Sequence, residues 1–204
     1  MIDQRERVSV TVVIPCFNQA RFLPVAVASV RAQSYERVAC LVVNDGSTDD
    51  TATVASALDV CVLEQPNRGV SAARNAGLTA ARTDFVVFLD ADDELLPTAI
   101  ANATEALAAD PDADLVVGRC EVMDADGRPL LAVHNAIDTA NLYDEWLSQN
   151  FVWTPGAAMR SPSGSNGSPS ILIGASSAGT CGSSPRTARR AECRRRSTQT
   201  ANPT

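Results

Sequence analysis

FVVFLDADDELLP, residues Phe85 to Pro97, sets an apolar run directly against four acids, Asp90, Asp92, Asp93 and Glu94. The apolar half has the aromatic and β-branched content of a buried strand. Carboxylates a few ångströms apart repel by about 4 kcal/mol per pair at an effective dielectric of about 20. Crowding them at the end of a strand suits two purposes. Asp93 and Glu94 can favour the N-terminus of a following helix through its dipole, or the cluster can belong to a site that receives a countercharge.

The chain on either side has a regular texture. VSVTVVIP (Val8–Pro15) reads as a strand, and Ala20 to Gln33 as a helix with Leu23, Val27 and Val30 at i, i+4 and i+7. VACLVV (Val38–Val43) is a second strand, ending in NDGSTDDT, where Ser47 or Thr48 can cap a helix running to Leu58. Val60 to Leu63 is a third strand and Gly69 to Arg82 a helix with Gly77 as an internal weakness. Phe85 to Leu89 is the fourth strand. Pro97 suits the first position of a helix through Ala109, Asp114 to Val122 a further strand, and DADGRP (Asp124–Pro129) a tight turn.

Strands that are apolar throughout, alternating with helices, predict an α/β fold: a mostly parallel sheet flanked by helices. Ligands of such sheets bind beyond the carboxyl ends of the strands. Three polar clusters fall there: Pro15-Cys16-Phe17-Asn18, Asn44-Asp45-Gly46-Ser47 and Asp90-Ala91-Asp92-Asp93. They are expected to converge on one rim, although Asn18 could equally cap the first helix.

Composition narrows the chemistry. None of the 204 residues is lysine, and all 17 basic residues are arginine, which excludes a phosphate-binding loop of the Walker type and Schiff-base catalysis. His134 is alone, and the six cysteines show no CxxC pair or metal-ligand spacing. Residues 1–160 carry 11 Arg against 23 acids, a net charge of −12, which argues against nucleic acid as a partner. No run approaches the roughly 20 apolar residues of a membrane span, and no signal peptide is evident. The expected location is cytoplasmic, extending to the inner face of a membrane.

VSVTVVIPCFN, SVRAQSY, VVNDGSTDDT, NRGVSAARNAG and FVVFLDADD occur in that order between Val8 and Pro97. Together they resemble the family 2 glycosyltransferases, inverting enzymes with the Rossmann-like GT-A fold that binds nucleotide sugars. One such stretch alone would be weak; five in order are specific. Small departures exist, Asn44 standing where the family often has Asp and Ala39 where an acid is frequent.

The resemblance implies a donor that is a nucleotide diphosphate sugar, with uridine the expected base, and an acceptor hydroxyl on a glycan, lipid or other molecule, as in cell-envelope polysaccharide synthesis. It implies a divalent cation, Mn²⁺ or Mg²⁺, held by Asp92, with Asp90 on the ribose or a metal-bound water and Ala91 between them. Asp45 would accept a hydrogen bond from the base, Pro15 to Phe17 would bracket the nucleoside with Asn18 beside it, and Arg74 would face the acid cluster or the diphosphate. A phosphatase of the haloacid dehalogenase type also carries DxD after a strand. That motif belongs on its first strand, however, and its supporting lysine is absent here. No GxGxxG follows any strand, against a dinucleotide-binding domain.

An inverting transferase needs a general base for its acceptor, worth typically about 10²–10⁴-fold. The family places an Asp for this in its second half. NFVWTPGAAMR (Asn150–Arg160) reads as the strand leading towards it, and there the texture breaks. Residues 161–204 hold ten Ser, six Arg and one acid, Glu192. Such a segment buries too little apolar surface to offset its ordering entropy and is expected to be a disordered tail. It reads as either a genuine basic extension or out-of-frame translation of GC-rich DNA. Asp138, Asp144 and Glu145 match no base motif, so no catalytic base is assigned. The resemblance implies that residues 1–160 are the donor-binding half of an incomplete transferase domain; the alternative is a catalytically incompetent remnant that only binds nucleotide and metal.

Overall fold

The computed structural model describes residues 8–110, 113, 115–124, 128–133, 157–160 and 192–196. In chain order the elements are β1 (Val10–Cys16), α1 (Leu23–Arg31), β2 (Val38–Asp45), α2 (Thr51–Ala57), β3 (Cys61–Gln65), α3 (Val70–Ala80), β4 (Phe85–Phe88) and β5 (Asp93–Leu95). There follow α4 (Ala99–Ala109), β6 (Leu115–Val117), β7 (Arg119–Met123), β8 (Pro129–Val133), β9 (Ala157–Arg160) and β10 (Glu192–Arg196). The main sheet has the order β3-β2-β1-β4-β9-β6, and a second sheet the order β5-β10-β7-β8.

Strands β3, β2, β1 and β4 are mutually parallel, as the alternation of apolar strands and helices predicts. β9 then runs antiparallel between β4 and β6. The two-residue period of the strands feeds two cores. Val10, Val12 and Ile14 of β1, with Phe85 and Val87 of β4, pack under α1 and α4. Val13, Val43, Val86 and Phe88 face the other way, towards Ala73 of α3 and Met159 of β9. Each fully buried Val, Leu or Ile contributes roughly 1.5–3 kcal/mol, so the centre of the sheet is its most stable part.

Helix α1 buries Leu23, Ala26, Val27 and Val30, one apolar stripe. It starts later than its spacing predicts, because the amides of Phe22 and Leu23 both donate to Gln19 O in a turn. Pro24 falls at the start, where its missing N–H costs nothing. Helix α3 presents small residues instead, Ala73 and Gly77. A Cβ on Gly77 would lie 2.2 Å from Val13 Cγ1, so the glycine that weakens the helix locally is what lets it press against β1.

Four local expectations are corrected. α2 begins at Thr51 after Asp50, not under a Ser47 or Thr48 cap, because the Ser47 hydroxyl accepts from Asn18 N at 3.0 Å. α4 begins at Ala99 rather than Pro97, whose carbonyl accepts from Ser34 N. Asp93 and Glu94 lie in β5 rather than at a helix terminus. The strand expected over Asp114–Val122 divides at Gly118, since β6 joins the main sheet and β7 the second. Of residues 161–204, only Glu192–Arg196 is described, as β10 between β5 and β7. The expectation of a disordered tail otherwise lies outside the described residues, as do Asp138, Asp144 and Glu145. Among the described residues no helix is long and apolar enough to cross a membrane.

Candidate functional site

An open cavity of about 490 Å³ lies beyond the carboxyl ends of β1, β2 and β4. Pro15, Cys16 and Phe17 reach it from β1, Asp45 from β2, Arg74 from α3, and Asp90, Ala91 and Asp92 from the loop after β4. Eight of the nine candidate residues therefore meet in one place; Asn18 does not line the cavity. It sits at φ 54° and knits two loops together, its side-chain oxygen accepting from Thr48 N at 2.8 Å while its own amide donates to Ser47. Asn tolerates this left-handed backbone better than most residues. Its observed contacts are neither a helix cap nor part of the cavity wall.

Asp45 is buried at the end of β2. Its Oδ1 accepts from Gln65 Nε2 at 2.6 Å and from Arg68 N at 2.9 Å, and its Oδ2 from Gly69 N at 2.8 Å. Burial works against its charge, but these donors prevail and hold the carboxyl below the ordinary carboxylate range. Asp45 thus moors the loop that leads into α3, and its Oδ2, with one donor, retains acceptor capacity. Gly46 follows at φ 68°, and a Cβ there would come within 2.5 Å of Asn67 N, so the NDGS turn needs its glycine for close approach of that same loop.

The acid cluster is dispersed by the fold. Asp90 Oδ1 accepts from Arg74 Nη2 at 2.6 Å, the two side chains being 21% and 16% exposed. Asp93 is turned into the protein and starts β5, its amide bonded to Asp90 O. Asp92 is half-buried on the cavity wall. Arg74 meets Asp90 through one nitrogen rather than in a bidentate fork, and its Nε is buried without a hydrogen-bond partner among the described residues. A buried donor left unpaired costs about 1–3 kcal/mol.

Cys16 is buried in the wall, where burial pushes its thiol up to about 11 against the pull of a hydrogen bond with Thr51. It is a neutral packing group there, not a nucleophile. At the mouth stand Phe17 and Val70, 44% and 51% exposed, an apolar pair on a polar rim. Gln19, Asn67, Gly69, Val70 and Ala73 complete the lining. None of them carries a role by sequence alone, although NRGVSAARNAG, one of the five motifs, holds four of them.

For a divalent cation, the described residues supply the carboxylates Asp90 and Asp92 and no cluster of three or more ligands. Mg²⁺ and Mn²⁺ sites of hard oxygen donors are commonly completed by water and substrate phosphates, so one or two carboxylates beside an open cavity fit such an ion.

Residues 11–167 match the sequence profile of Glycosyl transferase family 2. The chain belongs to that family. An uncharacterised glycosyltransferase of Mycobacterium tuberculosis is 38% identical over 130 residues, which are 62% of this chain and 52% of that protein. Glycosyltransferase GlyA of Streptococcus pneumoniae is 38% identical over 89 residues, 41% of this chain and 13% of GlyA. The chain spans about half the length of the mycobacterial relative. Among solved structures, TarS 1–349 of S. aureus in complex with UDP-GlcNAc superposes with a TM-score of 0.60 at 20% identity, over 76% of this chain and 46% of TarS 1–349. Mannosyltransferase PcManGT from Pyrobaculum calidifontis, in complex with GDP-Man and Mn²⁺, gives 0.52 at 24%, over 75% and 44%. The fold of this glycosyltransferase-family chain is thus the GT-A fold, a mostly parallel sheet flanked by helices.

Proposed function

We propose that this chain holds the donor site of an inverting, metal-assisted glycosyltransferase, which moves a sugar from a nucleotide diphosphate sugar to an acceptor hydroxyl. The observation that carries this reading is the convergence of Asp45, Arg74, Asp90 and Asp92 on one cavity at the carboxyl ends of the central strands. Phe17 and Pro15 bracket the nucleoside, and the free acceptor capacity of Asp45 Oδ2 meets an N–H of the base. Uracil offers such an N–H, and the UDP-GlcNAc complex of TarS supports UDP as the first donor to test.

In the reaction the sugar–phosphate C–O bond breaks as a new C–O bond forms from the opposite face, and the acceptor proton passes to a base. A divalent ion would supply charge neutralisation for the leaving diphosphate. Asp92 would hold it, as the Mn²⁺ complex of PcManGT encourages. Arg74 contributes a positive charge to the same region, and Asp90 orients the ribose or a metal-bound water. Among the described residues, no carboxylate other than Asp45, Asp90 and Asp92 lines the cavity, and all three already have donor-side roles. That favours, as a second reading, a chain that binds donor and metal without transferring sugar. The location proposed for either is cytoplasmic, with a glycan or lipid acceptor.

Incubation with UDP-hexoses and Mn²⁺, with and without a glycan acceptor, separates the two. Acceptor-dependent release of UDP, lost in Asp92→Asn, supports the transferase. Binding with at most slow acceptor-independent hydrolysis supports the second reading, and turnover that ignores Mn²⁺ removal contradicts the role of Asp92.

A further inference from the structure

Among the described residues that line the cavity, Arg74 is the cation; it touches the acid cluster at Asp90 and is incompletely used. A guanidinium carries five N–H donors in a planar fork. Here one of them, on Nη2, reaches Asp90 Oδ1, while Nε lies buried without a partner among the described residues. Its side chain remains 16% exposed on the cavity wall, and α3, which carries it, is moored at its start by the Asp45–Gly69 hydrogen bond. The helix is therefore fixed while the head group has donors to spare. A monodentate contact to one carboxylate is weaker and less directional than a bidentate one.

Resting on the donor-site reading above, we infer that Arg74 is an exchangeable countercharge: it neutralises Asp90 in the empty site and transfers to the diphosphate when cation and donor bind. Two cations cannot both be well accommodated at one partly buried carboxylate, since like charges repel as strongly as the pairs attract. A divalent ion held by Asp92, next to Asp90, would weaken the hold of Asp90 on Arg74. The donor diphosphate presents the acceptor oxygens that its unused N–H groups lack. Arg74 thus opposes the metal when it binds alone and favours the donor when it binds with the metal. It is a positioning and selectivity residue that couples the two events, so that neither bare cation nor bare nucleotide occupies the site tightly.

The coupling predicts opposite signs for one substitution. With the full chain, free Mn²⁺ is followed by electron paramagnetic resonance and UDP binding by calorimetry. Arg74→Gln is expected to bind Mn²⁺ alone about fivefold more tightly, the scale of a partly exposed ion pair. It is expected to bind UDP in saturating Mn²⁺ about tenfold more weakly or worse. Arg74→Lys keeps the charge and should leave the Mn²⁺ affinity within about twofold of the parent, while still losing UDP affinity because the fork is gone. In the unsubstituted chain, the Arg74 Nε–H resonance should shift when Mg²⁺ and UDP are added together, a readout independent of any variant's folding. Mn²⁺ binding that weakens or stays unchanged in Arg74→Gln, or an Arg74 resonance that does not move, overturns the exchange. Failure of the parent chain to bind either Mn²⁺ or UDP overturns the donor-site reading and the exchange with it, a result distinct from a coupling of the wrong sign.

Discussion

Asp45 and Cys16 show what a single position contributes to this rim. The place of Asp45 on the cavity was legible from its position after the second strand, but not its mooring of a loop twenty residues away, because Gln65, Arg68 and Gly69 come to it only through the parallel pairing of β2 and β3. Replacing it, as Asp45→Asn, should cost about 1–3 kcal/mol in urea unfolding, the range for losing hydrogen bonds to a charged group. The sign of its pH dependence follows from its lowered carboxyl. Its stabilisation is complete above the unfolded value of about 3.9 and fades as pH falls through the lower folded value, so Asp45→Asn should flatten the acid limb of the stability curve. An unchanged acid limb would show that the clamp does not hold in solution. Cys16 is buried with its thiol near 11, whereas Cys61 is exposed. At pH 8, iodoacetamide should label Cys61 at least about tenfold faster than Cys16 by peptide mass spectrometry, because the thiolate is the reacting form.

At the scale of elements, periodicity located β1 to β4 and α1 to α4 but misplaced several ends. The misses share a cause: polar groups expected to act within their own helix are spent on neighbours. Ser47 serves Asn18, Asn18 serves Thr48, and Pro97 O serves Ser34. Gly77 is the reverse case, a local defect explained by a distant partner. Alanine is the better helix former by about 1 kcal/mol, so an isolated helix would gain from Gly77→Ala. In this fold the added methyl meets Val13 at 2.2 Å, and overpacking of that kind typically costs about 1–3 kcal/mol. Chemical denaturation of Gly77→Ala should therefore show a net loss. A stabilised variant would mean that α3 stands further from β1 than the structure places it.

For the whole molecule, the four parallel strands and the rim at their carboxyl ends were readable, because each strand announces itself and parallel crossovers constrain where the next one goes. In the other half β6, β7 and β9 fall within stretches read as strands, but their places in the sheets were not readable. β9 reaches its place between β4 and β6 from about forty residues downstream of β6, and in the second sheet only the β7–β8 hairpin, across the turn read at Asp124–Pro129, is a local pairing, whereas β5 and β10 join it from far along the chain. The same division runs through the proposed function, since donor-side residues lie on the legible half and no base is assigned. The central claim is that the cavity takes a nucleotide diphosphate with a divalent ion held by Asp92. Calorimetric titration of UDP into the full chain, with Mn²⁺ and then with chelator, and into Asp92→Asn, tests it directly. The account predicts binding with Mn²⁺ that falls at least about tenfold both on chelation and in Asp92→Asn, the typical scale for losing a metal ligand's surroundings or more. Equal UDP affinity in all three titrations, or none in the first, would contradict it.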